Sequence, residues 1–291
     1  MLIHQPKNHE KQGVHMQIIA DTATLFAPSE GEANGMTVIP VSVAINNRSY
    51  KDYEEISSRA FLKLIEMGGV PTSSQPAIGD ILEVFESNSE EMLVLTVGDG
   101  LSGAYQSAMA ARSCAENQER IHIVNSKTLA GPLRYLAKKA VTLKKLGFGV
   151  EEIKAELTKS IESSVSFVIP EDFEFLKRSG RLTAITAKLG GVLKLLPVLT
   201  QTEDKTRIKP VAIKRTWKAA VETILQRMEQ MGVDSECLIS VCHAGTIDRA
   251  EAVMRQIKTI FPESETEILT LSPALITHGG PGCIVIQAIR K

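Results

Sequence analysis

The stretch after residue 92 places glycines and a hydroxyl at a spacing that suits anion binding. Residues 92–97 read as a strand, and Gly98, Gly100 and Gly103 follow it in a G-x-G-x-x-G pattern that leads into an alanine-rich helical stretch. Glycines at these positions let the backbone amides of a helix N-terminus approach a pyrophosphate. One hypothesis is therefore an enzyme that uses the Gly98–Gly103 turn to bind a nucleotide or a phosphorylated substrate.

The residues that follow argue against two catalytic interpretations of this turn. A dinucleotide fold expects an acid about 20 residues further on, at the end of the next strand, whereas the strand 121–124 ends in Asn125. A nucleophile elbow needs a glycine where the chain has Ala104, and no motif places a histidine and an acid beside Ser102. No catalytic residue is predicted.

The composition is that of a globular chain without a strong charge preference. Of its 291 residues 43% are hydrophobic, and the formal net charge is -1. Because there is no basic surplus, nucleic acid is not an expected partner. No apolar run reaches the roughly 18 residues of a membrane helix, and residues 1–15 lack the apolar segment of a signal peptide. We expect a cytoplasmic protein without stable membrane insertion.

Cysteines and histidines form no recognisable metal-binding or disulfide pattern. No C-x-x-C pair occurs among the four cysteines, so we expect structural thiols. Three histidines, His4, His9 and His15, lie in the polar segment 1–15, which we predict to be a disordered tail. Neither a metal nor a cofactor is predicted.

From residue 16 onwards, strand-like and helix-like segments alternate. The expected strands are 17–20, 37–44, 92–97 and 121–125, and the expected helices are 53–67, 78–85, 102–115 and 129–146. This alternation is typical of a parallel sheet covered by helices on both faces.

The second half of the chain has a different pattern. It suggests a strand at 165–169, a short helix at 173–177, a hairpin of 198–200 with 207–213, a helix capped by Thr216, and strands at 237–242, 267–271 and 283–289 around a helix at 249–260. We predict a tail at 1–15, a three-layer α/β/α domain with a parallel sheet at 16–163, and a two-layer α/β domain with a mixed sheet at 164–291.

Seven short blocks, in order along the chain, resemble the DegV family of lipid carriers. They are Asp21-Thr22-Ala23, residues 38–43 with Tyr50-Lys51-Asp52, Pro71-Thr72-Ser73-Ser74-Gln75-Pro76, residues 101–108, Val124-Asn125-Ser126, residues 175–182 and His278-Gly279-Gly280-Pro281-Gly282. One block alone is weak, but seven in the family's order are specific. The chain is identified as a member of this family, which implies a two-domain DegV-like α/β fold.

The resemblance also implies a function and a site. Similar proteins are non-catalytic carriers that hold one long-chain fatty acid, or a related lipid, with its carboxylate at the domain interface and present it to a separate fatty acid kinase. The residues that match the family's lipid site are Thr72, Ser73, Ser74, Gly100, Ser102, Gly103, His278 and Gly280. Candidates for a kinase or phosphate contact are Lys177, Arg178 and Arg181. Structural roles stay open for each, as helix caps, turn residues or solvated cations.

The chain departs from the family near the expected head-group site. Gly98 and Asp99 stand where the family usually has two serines, Ala104 replaces a threonine, and residues 195–199 lack a lysine of the family pattern. A carboxylate at Asp99 would repel a fatty acid head group or occupy the helix amides itself. The departures lead to the hypothesis of a diverged carrier with weakened fatty acid affinity or with a neutral or cationic ligand. A further alternative is an interaction protein with a blocked tunnel.

Overall fold

The computed structural model describes residues 15–183 and 195–291. The predicted tail, apart from His15, therefore lies outside the described residues, together with His4 and His9. In the first half of the chain the strands are β1 (Met16–Asp21), β2 (Thr37–Ile39), β3 (Ser42–Ile45), β4 (Arg48–Lys51), β5 (Thr72–Ser74), β6 (Glu91–Thr96) and β7 (Ile121–Asn125). The helices of this half are α1 (Pro28–Ala33), α2 (Ser58–Glu66), α3 (Ile78–Glu86), α4 (Ala104–Cys114), α5 (Ala130–Lys145) and α6 (Val150–Ser163).

The second half adds six strands and four helices among the described residues. The strands are β8 (Val165–Ile169), β9 (Leu196–Gln201), β10 (Ile208–Lys214), β11 (Cys237–His243), β12 (Glu265–Thr270) and β13 (Ile284–Arg290). The helices are α7 (Phe173–Ser179), α8 (Trp217–Gln230), α9 (Ile247–Ile260) and α10 (Pro273–Gly279). Helix α8 begins as expected, because the Thr216 side chain accepts a hydrogen bond from the Ala219 amide.

Four strands form the predicted parallel sheet, in the order β2-β1-β6-β7. Ile19, Met92 and Val94 pack against α3 and α4 on one face of this sheet. The alternate residues Ile18 and Leu93 face α5 and α6 on the other. The alternation of apolar side chains across buried strands thus produces the expected α/β/α arrangement.

A six-stranded mixed sheet follows, in the order β10-β9-β8-β13-β11-β12. Only β11 and β12 pair in parallel among its described strands. Helices α8 and α9 cover one face of the sheet, and the opposite face packs on α5 and α6, where Leu238 and Ile289 join the core of the first half. Gly131 makes this close approach possible, since a Cβ there would lie 2.4 Å from Ser240 Cβ. The predicted fold class is confirmed, with α5 and α6 shared between two sheets.

The expected single strand over 37–44 is wrong. The chain pairs β2 with the parallel sheet and then places β3 in a small antiparallel sheet, in the order β4-β3-β5. Pro40, which has no backbone N–H to donate, lies between the two strands. The helix expected over 53–67 begins only at Ser58, since Tyr53 has a φ of 66° that no α-helix accommodates. The short strand β5 was not predicted, and it carries Ser73.

No helix among the described residues is long and apolar enough to cross a membrane.

Candidate ligand-binding site

An internal cavity lies where the carboxyl ends of β1 and β6 face strands β8, β9 and β13 and helix α10. The cavity has a volume of about 140 Å³, counted as the space open to the centres of water molecules. Much of its wall is apolar, and the side chains that provide this surface include Leu101, Leu129, Phe167, Leu176, Leu275 and Val285. Such a cavity suits a ligand that is mainly hydrocarbon.

The polar centre of the wall is a hydrogen bond between Ser73 and His278. Ser73 lies in β5 opposite Val43, and His278 lies in the last turn of α10. Their Oγ and Nε2 atoms are 2.9 Å apart, although the residues are separated by 205 positions in the chain. Two residues named by the sequence resemblance therefore meet in the cavity wall.

The environment of His278 keeps its imidazole neutral at physiological pH. Burial, with a smaller contribution from the positive charge of Arg181, lowers the pKa of His278 to about 4. A neutral imidazole has one N–H donor and one acceptor nitrogen. His278 and Ser73 together can therefore donate a hydrogen bond to a polar group in the cavity while keeping their own contact.

The glycine-rich turn is built by contacts within the protein. A Cβ on Gly98 would lie 2.9 Å from the Lys127 backbone, and one on Gly100, whose φ is 84°, would lie 2.8 Å from Thr206. A Cβ on Gly103 would lie 2.8 Å from the Gln75 side chain. The G-x-G-x-x-G spacing is thus explained by neighbouring chain segments at all three glycines, without a pyrophosphate. Ser102 lines the cavity and accepts a hydrogen bond from the Ala104 amide at 3.2 Å.

Asp99 lies outside the cavity wall, in a groove that we call the outer groove. This groove is formed by residues 99–103, residues 179–181 and Arg207. The Asp99 carboxylate accepts hydrogen bonds from the Gly100 amide at 3.1 Å and from Gln106 Nε2 at 3.2 Å. The carboxylate is therefore bound by its own turn and by the Gln106 side chain of α4, and Asp99 is not among the residues that line the cavity.

Arg181 stands in the wall shared by the cavity and the outer groove. Its Nε donates to the Leu101 carbonyl at 3.0 Å, and a second guanidinium nitrogen donates to the Ser179 carbonyl. Burial, together with the nearby charge of Arg207, lowers its pKa. The two other predicted cations are on the surface: Lys177 pairs with Glu174 at 3.4 Å, and Arg178 stacks on Phe175 at 4.6 Å.

The remaining predicted lipid-site residues divide between the cavity and its surroundings. Ser74 lines the cavity next to Ser73. Gln75, which a Cβ on Gly103 would meet at 2.8 Å, is itself in the cavity wall. Four residues are not in the cavity wall: Thr72 lies in β5, Gly100 and Gly103 lie in the outer groove, and a Cβ on Gly280 would lie 2.8 Å from Phe175. The assignment of these residues to lipid binding stays a prediction.

Two buried carboxyl groups lie beside the cavity. Asp21, in the wall, accepts a hydrogen bond from the Ala23 amide at 2.8 Å, and burial raises its pKa to about 6. Asp52 accepts from Thr22 Oγ1 at 2.9 Å, and burial raises its pKa to about 7. Asp52 also faces Ser272 and Ala274 at the start of α10. These contacts connect the end of β1 to the helix that carries His278.

Sequence reasoning missed several polar residues in the wall, including Ser166, Thr200 and Gln287. A signal for them exists, because each interrupts a strand whose other residues are largely apolar. Within the described parts of the chain, no three His, Cys, Asp or Glu side chains are grouped as a metal site would require.

Comparison with known proteins shows what the chain resembles. Residues 15–291 match a family model described as "Uncharacterised protein, DegV family". A DegV domain-containing protein of Clostridium acetobutylicum is 30% identical over 261 residues, which cover 86% of this chain and 89% of that protein. A solved DegV family protein from Thermus thermophilus, described by its fatty acid binding, is 25% identical with a TM-score of 0.86; the match covers 95% of this chain and 100% of that one. DegV of Bacillus subtilis, a fatty acid binding protein, is also 25% identical, with a TM-score of 0.83, and the match covers 96% of this chain and 100% of that one.

Proposed function

Because this chain belongs to the DegV family, we propose that it binds one long-chain fatty acid in the cavity, with the carboxylate beside Ser73 and His278. The single observation that carries the proposal is the Ser73–His278 hydrogen bond, 2.9 Å long, in the wall of a largely apolar cavity. The two related proteins of known structure named above bind fatty acids.

The energetics of such a ligand fit this arrangement. Each methylene that leaves water contributes about 0.8 kcal/mol, so a long acyl chain contributes on the order of 10 kcal/mol before the cost of ordering it. A carboxylate buried without donors would cancel much of that gain. The Ser73 hydroxyl, the neutral His278 imidazole and the Ser102 hydroxyl are the side chains that could donate to it.

The finer role that we propose is presentation of the fatty acid to a separate fatty acid kinase, with no catalysis by this chain. Arg181 is the best placed of the predicted contact residues, since it lies between the cavity and the outer groove. Lys177 and Arg178 are exposed nearby on α7. We further propose that the cavity separates two domains, residues 16–163 and 164–291, and that the protein acts in the cytoplasm.

A thermal-shift screen separates a lipid carrier from a nucleotide-binding enzyme. We expect palmitate and oleate to raise the melting temperature, because a ligand that binds only the folded state stabilises it. We expect NAD, NADP and ATP to leave it unchanged. Stabilisation by a nucleotide and not by either fatty acid would refute the proposal.

Two neighbouring hydroxyls of β5 provide a matched pair of variants for the head-group assignment. Ser73→Ala removes a donor from the cavity wall, and we expect fatty acid affinity to fall about tenfold or more, as is typical for a hydrogen bond to a charged group. Thr72→Val changes an exposed residue outside the described wall, and we expect the affinity to stay within about twofold. Equal losses in the two variants would contradict the position given to the carboxylate.

The kinase role needs its own assay. A fatty acid kinase, ATP and the loaded protein are expected to yield ADP and an acyl phosphate, and Arg181→Ala should slow this turnover more than it weakens fatty acid binding. Full turnover with Arg181→Ala would remove this arginine from the kinase contact.

A further inference from the structure

The carboxyl groups of Asp21 and Asp52 are buried beside the cavity without a cation to balance them. Asp52 is 0% exposed and Asp21 is 4% exposed. Hydroxyl and amide groups provide their hydrogen bonds, and among the described residues neither carboxyl group has a Lys, Arg or His partner. The charge of Asp21 also acts on Asp52 and favours its protonated form. The pair is therefore poised to bind a proton.

Asp52 has an oxygen atom that can carry this proton. Its Oδ2 accepts a hydrogen bond from Thr22 Oγ1 at 2.9 Å, whereas its buried Oδ1 has no hydrogen-bond partner within the described parts of the chain. Asp21, by contrast, accepts from the Ala23 amide and lies beside the Val97 amide, so a proton there would displace an amide donor. Asp52 is therefore the member of the pair that we expect to be protonated.

Helix α10 connects Asp52 to the proposed head-group site. The Asp52 carboxyl group lies beside Ser272 and Ala274 at the start of this helix, and His278 is in its last turn. Ala274 and His278 both line the cavity, and their spacing of four residues puts them about 6 Å apart along the helix axis. The helix also packs against residues 22–24 and against β5, which carries Ser73. A fatty acid carboxylate beside His278 would thus lie on the order of 10 Å from Asp52.

A negative charge at this distance changes the proton affinity of Asp52. Like charges disfavour each other's ionised forms, and between partly buried groups about 10 Å apart the effect is on the order of tenfold in proton affinity. Without a ligand the pKa of Asp52 is raised to about 7 by its burial. A bound carboxylate would therefore take the group from half protonated to mostly protonated near neutral pH.

Other titratable groups near the pair do not take up this proton at pH 7.5. Burial raises the pKa of Tyr53 well above its usual range and that of Cys283 to about 12, so both are already protonated. The pKa of His278 is lowered to about 4 by its burial, and a tenfold increase in proton affinity would still leave it neutral at this pH. Further charged or titratable side chains on the surrounding elements are Glu30, Arg134, Arg181, Cys242 and Glu267.

We propose that Asp52, coupled to Asp21, takes up a proton from solvent when a fatty acid enters the cavity, so that fatty acid affinity falls as the pH rises. The proposal rests on the fatty acid binding proposed above and adds a regulation of the same cavity. A carrier of this kind loads its ligand more readily in mildly acidic surroundings and releases it more readily in alkaline ones.

Calorimetric titration with myristate at pH 7.5 in two buffers of different ionisation enthalpy, phosphate and Tris, tests this coupling. The difference between the two binding enthalpies gives the number of protons taken up. We expect about 0.5 proton per myristate bound, and about a fivefold loss of affinity between pH 6.5 and pH 8.5.

Two substitutions of Asp by Asn provide the test and its control. In Asp52→Asn the proton uptake should disappear, the affinity should stay within about twofold over the same pH range, and myristate should bind more tightly than to wild type at pH 8.5. Asp80→Asn removes an exposed carboxylate of α3 and should behave as wild type. An NMR titration of the Asp52 carboxyl carbon in wild type, empty and loaded with myristate, measures the same effect without a substitution. Its midpoint should move to higher pH in the loaded protein.

The outcomes separate this inference from the function on which it rests. If myristate binds without proton uptake, or if the uptake persists in Asp52→Asn, the inference is wrong and the carrier function still holds. An Asp52 midpoint that is the same in the empty and loaded protein also overturns it. If myristate does not bind to wild type, both proposals fail.

Discussion

The titration of His278 gives the sharpest test of how the cavity wall is built. Burial and the positive charge of Arg181 lower the pKa of this imidazole to about 4, from the ordinary histidine value of 6.5. Between these two pH values the unfolded chain binds a proton that the folded protein does not, so the free energy of unfolding falls as the pH falls. The contribution of the neutral His278 to the free energy of unfolding is fully present above about pH 6.5 and is lost by about pH 4. The shift corresponds to on the order of 3 kcal/mol.

His278→Gln removes the titrating group and keeps a side chain that can bond to Ser73. Urea unfolding of the ligand-free protein at pH 7.5 and pH 4.5 gives the free energy of unfolding at each pH. We expect wild type to lose on the order of 2 to 3 kcal/mol more than His278→Gln between these values. Protonation of Asp21 and Asp52 raises the free energy of unfolding as the pH falls, which is opposite to the effect of His278. Both carboxyl groups are present in both proteins, so their contributions cancel when the two proteins are compared.

Ser73→Ala is the matched control for this measurement. It removes the hydrogen bond to His278 and leaves the imidazole in place, so it should lower stability by about 1 kcal/mol at both pH values. It should keep the pH dependence of wild type. If wild type and His278→Gln lose the same free energy between pH 7.5 and 4.5, His278 is not a buried neutral group and the argument is wrong.

Three other predictions follow from the wall and from the layer beneath it. Asp99→Ser should change fatty acid affinity less than about twofold in a titration, because the carboxylate is bound to Gly100 and Gln106 outside the cavity; a tenfold gain would mean that it faces the head group. Gly131→Ala should lower the free energy of unfolding by about 1 to 3 kcal/mol through the clash with Ser240. Gly79→Ala, with open space around the added methyl group, should raise it by about 0.5 kcal/mol. Equal effects of the two variants would contradict the close packing of α5 on the mixed sheet. Asp52→Asn should stabilise the protein at pH 8 by on the order of 2 kcal/mol and less at pH 5, because burial makes the Asp52 charge costly above its raised pKa of about 7; a less stable variant at pH 8 would show that the charge is well solvated.

The sequence predicts the main elements well where one physical signal dominates. The strands 121–125 and 165–169 have the same bounds in the structure, because β-branched and apolar residues there are bounded by polar ones. The split at Pro40 was missed, since composition alone does not say to which sheet a short apolar strand belongs. Strand β5 is too short and too polar to have a periodic signal.

The candidate site was predicted through order along the chain rather than through local chemistry. The pairing of Ser73 with His278 depends on tertiary packing, and no spacing rule could give it. The glycine pattern shows that local spacing alone can suggest the wrong kind of site. Its dinucleotide-like spelling reflects three separate close contacts, with Lys127, Thr206 and Gln75, which a single sequence cannot reveal.

The most direct test of the account is native mass spectrometry of the purified protein, followed by identification of any released ligand. We expect one long-chain fatty acid per chain, and recovery of stearate or a similar long-chain acid would agree with the proposed function. Loss of that species in Ser73→Ala, with retention in Thr72→Val, would assign the head group to the Ser73–His278 pair. A protein that carries a nucleotide, or that stays empty after incubation with fatty acids, would contradict the account.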